Sequence, residues 1–397
     1  MKRWVWVVVA VGLVARVVLA FAWRGAGYDI ESFEIVRRAL ADDPFGVYES
    51  VNNGFYRWPY PPLYFPWIAL SGWLSDVVGL RFDGWVQLPA VLADAGIALC
   101  VASLLRLRGS GDRVVLAAVA LVMFGPSFLM VSGYHGQIDS LAILPAVAAL
   151  LVWERGGERR ALWAGLLIGL GGAVKIVPLV MVLPLLVCAR SRREALSLVL
   201  APAFVMLAVL APFLATDLGG TLDSLRNRGF PGLGGISLIL NPDLTDAALR
   251  GTVPENTAVT EWLNHHGWLV PAVALALVAV LLWRRRPDPA LGALVVWLTL
   301  MALGVNFALQ YAVWGLPFLL VCGRLKSALA LQLLLVPAAI VFYRAPWESS
   351  SAVVVYSAAM IAAWLLLMWL LATALRDVWR ERTAQSAATR RGVGVLD

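Results

Sequence analysis

Residues 161–189 read ALWAGLLIGLGGAVKIVPLVMVLPLLVCA, an apolar stretch with a single charge, Lys175, at its centre. A helix that spans a bilayer needs about 20 mainly apolar residues, so this stretch can be read in two ways. One is a single long tilted helix. The other is a pair of short helices meeting at Lys175, each about 14 residues or about 21 Å long at 1.5 Å per residue. The choice decides the fold, because every crossing reverses the side on which the rest of the chain lies. Basic loops stay in the cytoplasm. With the pair, the connectors Arg106–Arg113, Arg155–Arg160, Arg190–Arg193, Arg284–Arg286, Arg324–Lys326 and Arg376–Arg391 all fall on one side. The single helix would reverse everything after it. Short helices are tolerated where their ends line a protein cavity, and the pair is the expectation taken forward.

Working outward, further apolar runs lie at Val5–Trp23, Val86–Leu105, Val114–Ser132, Ile138–Trp153 and Ala195–Thr216. The second half adds Trp268–Trp283, Pro289–Gly304, Leu309–Gly323, Ala328–Tyr343 and Ala352–Leu375. With the pair at Lys175 these predict an all-α polytopic bundle of about 11–13 transmembrane helices, 12 in the favoured arrangement, with both termini cytoplasmic. The prolines at 59, 61, 62 and 66 keep Tyr60–Leu80 from crossing, as a bent segment on the outer side. Ala20-Phe21-Ala22 resembles a signal-peptide cleavage site. Arg16 inside the first run and the membrane-like chain behind it favour an anchor helix.

Composition agrees. The 397 residues are 61% hydrophobic and 14% charged, against about 25% charged in a soluble domain. That excludes an ordinary soluble enzyme, and the scarcity of charge excludes disorder. The net charge of +7 does not point to nucleic acid, because the arginines sit in short clusters between apolar runs. Cys100, Cys188 and Cys322 all lie in apolar runs and form neither a disulfide set nor a metal spacing. Residues 1–375 read as one membrane domain with outer loops at 24–85 and 217–267, and 376–397 as a cytoplasmic tail, disordered over Thr383–Asp397. No internal repeat is visible. The outer loops are long enough to be functional.

Five outer features carry chemistry. Gly27-Tyr28-Asp29-Ile30-Glu31 opens the first loop, and Ile30, Phe33, Val36 and Leu40 recur behind it at helical spacing. This is an amphipathic helix lying on the membrane surface. Asp29 at its start is either an N-cap carboxylate or a general base on a water-facing cavity. Trp58-Pro59-Tyr60-Pro61-Pro62-Leu63-Tyr64 is a rigid extended elbow or an interfacial anchor. Tyr134-His135-Gly136-Gln137-Ile138-Asp139 is a polar turn between apolar runs. It suits a sugar or phosphate site, a helix cap, or a metal through His135 and Asp139. Lys175, an intramembrane cation, is functional by default; otherwise it snorkels to the headgroups. Asn306–Tyr311 is a further uncharged polar turn. Arg226, Arg228, Arg344 and Glu348 complete the outer set, the arginines suited to phosphate oxygens. His265 and His266 have no role beyond an interfacial position.

The order of these motifs resembles the GT-C superfamily of integral-membrane glycosyltransferases, which use polyprenyl-phosphate-linked sugars. The similarity covers residues 1–190. It runs through the acidic motif at Asp29, Tyr60-Pro61-Pro62-Leu63, the turn Gly133–Asp139, and Lys175 with Pro178 and Pro184; Asn306–Trp314 is similar to an outer turn of bacterial members. The resemblance implies an inverting hexosyltransferase, with mannose favoured. The donor would be a polyprenyl-phosphate sugar and the acceptor lipid-linked or in the cell envelope. Asp29 would be the base on the acceptor hydroxyl. Many relatives have adjacent acids there, so Glu31 stays open as the base. Lys175, Arg226, Arg228 and Arg344 would hold the donor phosphate. Tyr60, His135, Gln137, Asp139, Gln310 and Tyr311 would contact sugar or acceptor. A donor with one phosphate makes no metal or cofactor obligatory, and none is expected. The partners are the lipid bilayer, donor and glycan or glycolipid acceptor, with no nucleic acid. The place is the bacterial plasma membrane, with the site extracytoplasmic. A GT-C-like ligase using a lipid pyrophosphate is the nearest alternative. A lipid or solute transporter is the other, though such proteins usually show internal repeats.

Overall fold

The computed structural model describes residues 2–52, 58–226, 232–250, 257–344 and 349–393. Among the described residues every regular element is helical. The first six are α1 (Arg3–Ala22), α2 (Gly27–Asp42), α3 (Val47–Asn52), α4 (Phe65–Val78), α5 (Phe82–Leu107) and α6 (Asp112–Met123).

By length and composition, six helices among the described residues can cross a membrane, or seven if the bent pair Ala258–His266 and Leu269–Arg285 is one span. This is fewer than the 11–13 expected from the apolar runs. The physical reason is that several runs make helices too short to span alone: Arg160–Val174, Val177–Val187, Pro289–Leu303 and Leu309–Val321. Helices inside a bundle do not need full length, because neighbouring protein shields their ends. Pro289–Leu303 fits that description, with Leu294, Val295, Val296, Trp297 and Leu298 all fully buried.

The stretch around Lys175 divides as expected. The helix Arg160–Val174 stops at Lys175, whose backbone is extended (φ −152°, ψ 130°). The turn Val177–Met181 and the helix Val182–Val187 follow. Arg160–Val174 packs between Asp139–Arg155 and Arg192–Thr216. Its glycines allow the close approach: a Cβ at Gly165 would lie 2.8 Å from the Ser197 carbonyl, and one at Gly169 2.9 Å from Pro202 Cα. Arg192–Thr216 begins at a cap in which the Ser191 hydroxyl accepts from the Glu194 N–H at 3.2 Å.

The segment 60–80 is not among the helices long and apolar enough to cross a membrane. Pro62–Tyr64 forms one tight turn and α4 runs for 14 residues. α2 buries Ile30, Phe33 and Val36, as its spacing predicts, and Ala39 rather than Leu40, which is half-buried. These side chains join Tyr48, Trp58, Tyr64, Phe65, Ile68 and Phe213 in an aromatic cluster separate from the main core. The first long loop is therefore a small folded layer on the bundle. The second contains the short helices Leu218–Arg226, Ile236–Leu240, Asp243–Arg250 and Ala258–His266. The C-terminal helix Ser350–Val393 is continuous for 44 residues and runs on past position 375, where the last apolar run ends.

One buried charge pair organises the N-terminal side. Arg16 in α1 donates from Nε to Asp94 Oδ2 of α5 at 2.8 Å, and both side chains are fully buried. Its remaining nitrogens donate to the carbonyls of Val122, at 2.8 Å, and Met123. Those carbonyls belong to the last turn of α6, which leaves them without helical partners. The guanidinium thus caps α6 from a neighbouring helix. At the opposite end of the bundle from Lys175, Arg108 bridges Glu154 and Asp288 at 2.5 and 2.7 Å. Arg160 pairs with Glu194 at 2.8 Å.

Candidate active site

The site forms where α6 breaks down. α6 ends at Met123, and after one turn at Pro126–Phe128 the chain winds into a π-helix, Leu129–His135. π-helical turns are rare and cluster at functional positions. The N–H groups of Gly136 and Gln137 both close back onto the Val131 carbonyl at 3.1 Å. Gly136 takes φ +88°, which suits glycine, and the next helix starts at Asp139. This sharp reversal places His135, Gln137 and Asp139 on one side of the turn. Ser132 in the same turn donates its hydroxyl to Asp94, so the Arg16–Asp94 pair supports it from below.

α2 is clipped to this turn. The Ala26 N–H donates to the His135 carbonyl at 2.9 Å. Gly25, at φ +83°, lets the chain approach, since a Cβ there would meet that carbonyl at 2.9 Å. Asp29 follows in the first turn of α2. The cap residue is Ala26, so Asp29 is not the N-cap, and its carboxylate turns to the π-helix. Gln137 Nε2 donates to Oδ1 at 2.7 Å. His135 Nε2 lies 2.5 Å from Oδ2, and its Nδ1 lies 2.6 Å from the Tyr343 phenol. The Asp29 side chain is 24% exposed and the His135 side chain 2%. One carboxylate is thus held on both oxygens while part of it faces outward. Glu31 is two residues on, about 200° around the helix, and is exposed.

Beside this group lies a second one. Lys175 Nζ donates to Asp139 Oδ1 at 2.8 Å. Trp314 Nε1 donates to the same oxygen at 2.5 Å. Rings surround the ammonium: Tyr60 at 4.8 Å, Trp314 at 5.7 Å and Tyr311 at 5.8 Å. Cations favour such ring faces. Tyr311 stacks on Trp314 with centroids 3.9 Å apart, and Gln310 is half-buried in the same turn. Tyr60 links the two groups. Burial pushes its phenol well above the usual tyrosine range, helped by the nearby carboxylates of Asp139 and Asp29, while Gln137 lies against it. Lys175 does not snorkel; it is buried in an ion pair.

The arginines stand apart. Arg344 is exposed and lies over the Trp23 ring at 4.6 Å, with Tyr134 at 6.0 Å. That places it at the rim of the Asp29 group, next to Tyr343. Arg226 is exposed and faces Asp223 at 3.5 Å. Arg228 and Glu348 lie outside the described residues. No group of three His, Cys, Asp or Glu side chains is arranged as metal ligands among the described residues.

Two members of the site escaped the sequence reading. Trp314 was seen only as the end of a turn, although it stands three residues after Tyr311, on the same helical face. Tyr343, at the end of an apolar run, reads as one more interfacial aromatic.

None of the curated proteins matches the chain. Residues 58–305 match the model of glycosyltransferase family 87. That interval holds Tyr60, the π-helical turn, Asp139, Lys175 and the helices that position them. It is well over half of the chain, in a polytopic helical fold with a carboxylate poised at its surface. The chain belongs to glycosyltransferase family 87, a family of GT-C-type membrane glycosyltransferases.

Proposed function

We propose that this glycosyltransferase moves a hexose, with mannose favoured, from a polyprenyl-phosphate donor to a lipid-linked or cell-envelope acceptor, with inversion at the anomeric carbon. The observation that carries the reading is Asp29: a partly exposed carboxylate held by His135 and Gln137. A base must come within about 3 Å of the proton it takes, directly or through one water.

In the proposed step, the acceptor oxygen bonds to the anomeric carbon as the carbon–phosphate oxygen bond breaks. The acceptor proton passes to Asp29, and the electron pair of the broken bond leaves with the lipid phosphate. That leaving group needs cations, not a proton donor. Lys175 and the rim arginine Arg344 are assigned to it. Lys175 is already paired with Asp139, so a phosphate would share the ammonium with that carboxylate through its two remaining N–H bonds. Tyr60, Gln310, Tyr311 and Trp314 would pack against the sugar, with Asp139 accepting from its hydroxyls. Arg226 is assigned no contact beyond Asp223. A single-phosphate donor requires no metal in this scheme. The site is proposed to face the extracytoplasmic side of a bacterial plasma membrane.

The test is transfer by the purified protein in lipid nanodiscs, with polyprenyl-phosphate mannose, polyprenyl-phosphate glucose and a polyprenyl-pyrophosphate sugar as donors. Transfer from a monophosphate donor with inversion, lost in Asp29→Asn, is the expected result. Transfer from the pyrophosphate donor alone, or full activity of Asp29→Asn, overturns the proposal.

A further inference from the structure

We propose that Tyr343 is a positioning residue: its phenol holds His135 in the Nε2–H tautomer, so that the ring donates to Asp29 and keeps that carboxylate aimed at the acceptor. The kinetic part of this rests on Asp29 being the base; the tautomer assignment does not.

The argument is one of donors and acceptors. An ionised carboxylate only accepts, and a neutral imidazole has one N–H and one lone pair. His135 Nε2 lies 2.5 Å from Asp29 Oδ2, so the ring proton belongs on Nε2. Nδ1 is then a lone pair, and it needs a donor. The Tyr343 hydroxyl, 2.6 Å away, is that donor. Water does not serve instead, because the His135 side chain is only 2% exposed. The ring is fixed in orientation by Phe342, stacked at 5.8 Å, and by the edge of Tyr343 at 5.4 Å. Tyr134 backs Tyr343 at 5.0 Å. Three elements therefore converge on one imidazole: α2 through Asp29, the π-helix through His135 itself, and Leu325–Arg344 through its penultimate residue. Without the phenol, nothing favours an empty Nδ1. The alternative tautomer would turn a lone pair toward the carboxylate and push it away. In this role His135 acts through Asp29 and not on the sugar.

The experiment is 15N NMR of the full-length protein in nanodiscs, with labelled histidine. The chain has three histidines, and His135→Gln identifies the signal by its loss. In the unsubstituted protein, without substrate, His135 is expected to show a protonated Nε2 and an unprotonated, hydrogen-bonded Nδ1. Tyr343→Phe should bring in the Nδ1–H form. It should also lower kcat about tenfold with KM little changed, the size of one lost hydrogen bond expressed in a transition state. A protonated Nδ1 in the unsubstituted protein overturns the proposal whether or not the variant folds. So does a Tyr343→Phe variant with an unaltered spectrum and unaltered kcat. Full activity of Asp29→Asn with the expected spectrum would instead remove the base assignment and leave the tautomer assignment standing.

Discussion

Replacing Asp94 by leucine should cost more stability than replacing Asp94 and Arg16 together. Both side chains are fully buried and joined at 2.8 Å. Removing one member of a buried pair costs about 3–5 kcal/mol, because the other charge is left uncompensated. In Asp94→Leu, Arg16 keeps only the carbonyls of Gly12, Val122 and Met123. The double leucine variant removes both charges and fills the space with apolar atoms. What it loses is the cap on Val122 and Met123, two hydrogen bonds of about 1 kcal/mol each; the Ser132 hydroxyl, which donates to Asp94, keeps the Phe128 carbonyl as acceptor in both variants. The expected order is a loss of about 3–5 kcal/mol for Asp94→Leu and about 2 kcal/mol for the double variant. In a chain of this size 1 kcal/mol moves the melting temperature by about 2 °C. Unfolding in nanodiscs, followed by tryptophan fluorescence, should then place Asp94→Leu about 6–10 °C below the unsubstituted protein and the double variant between them. A double variant as unstable as the sum of the two singles would refute the pairing. So would an Asp94→Leu variant within about 2 °C of the starting protein.

Three further outcomes follow from the geometry. Gly25→Ala should destabilise the junction between α1 and α2, because its Cβ meets the His135 carbonyl at 2.9 Å and its φ is +83°; faster hydrogen exchange at Ala26, whose N–H donates to that carbonyl, is the readout. Trp314→Phe keeps the ring beside Tyr311 but removes the indole donor to Asp139, and should raise the donor KM about five- to tenfold, one net hydrogen bond; an unchanged KM counts against a sugar contact there. Tyr60→Phe should flatten the loss of stability above pH 10. The folded phenol titrates well above its ordinary value of 10.0, so its contribution is complete below pH 10 and is lost as pH rises beyond it. The slope of stability against pH should fall by about 1.4 kcal/mol per unit, and an alkaline melting series identical to that of the unsubstituted protein would contradict the burial of that phenol.

Much of this arrangement was legible in the chain. The period of Ile30, Phe33 and Val36 marked a helix with one buried face, and the prolines around Tyr60 marked the tight turn that opens the next helix. The lone Lys175 marked a real break. Polar residues stand out in an apolar chain, which is why Asp29, His135, Gln137, Asp139 and Lys175 could be collected before their contacts were known. Their pairing was not legible. Lys175 and Asp139 are 36 positions apart, His135 and Tyr343 208 apart, and nothing local specifies such partners. Trp314 and Tyr343 were hidden for the opposite reason: aromatic residues do not stand out among apolar neighbours. Fewer helices are long enough to span alone than there are apolar runs, because an apolar run records burial, and burial inside a bundle leaves the same signature as burial in lipid.

The ion pair beside the site also has a polarity along the helix axes. Asp139 is the first residue of Asp139–Arg155, and Lys175 directly follows the last residue of Arg160–Val174. A helix start carries a partial positive charge and a helix end a partial negative one. Each member of the pair therefore sits on the terminus that its own charge complements, and the two macrodipoles hold the pair in place from both sides. Exchanging the two residues would preserve the salt bridge and set each charge against its helix, at about 0.3–1 kcal/mol per terminus. The Asp139–Lys175 pair can be read in only one direction.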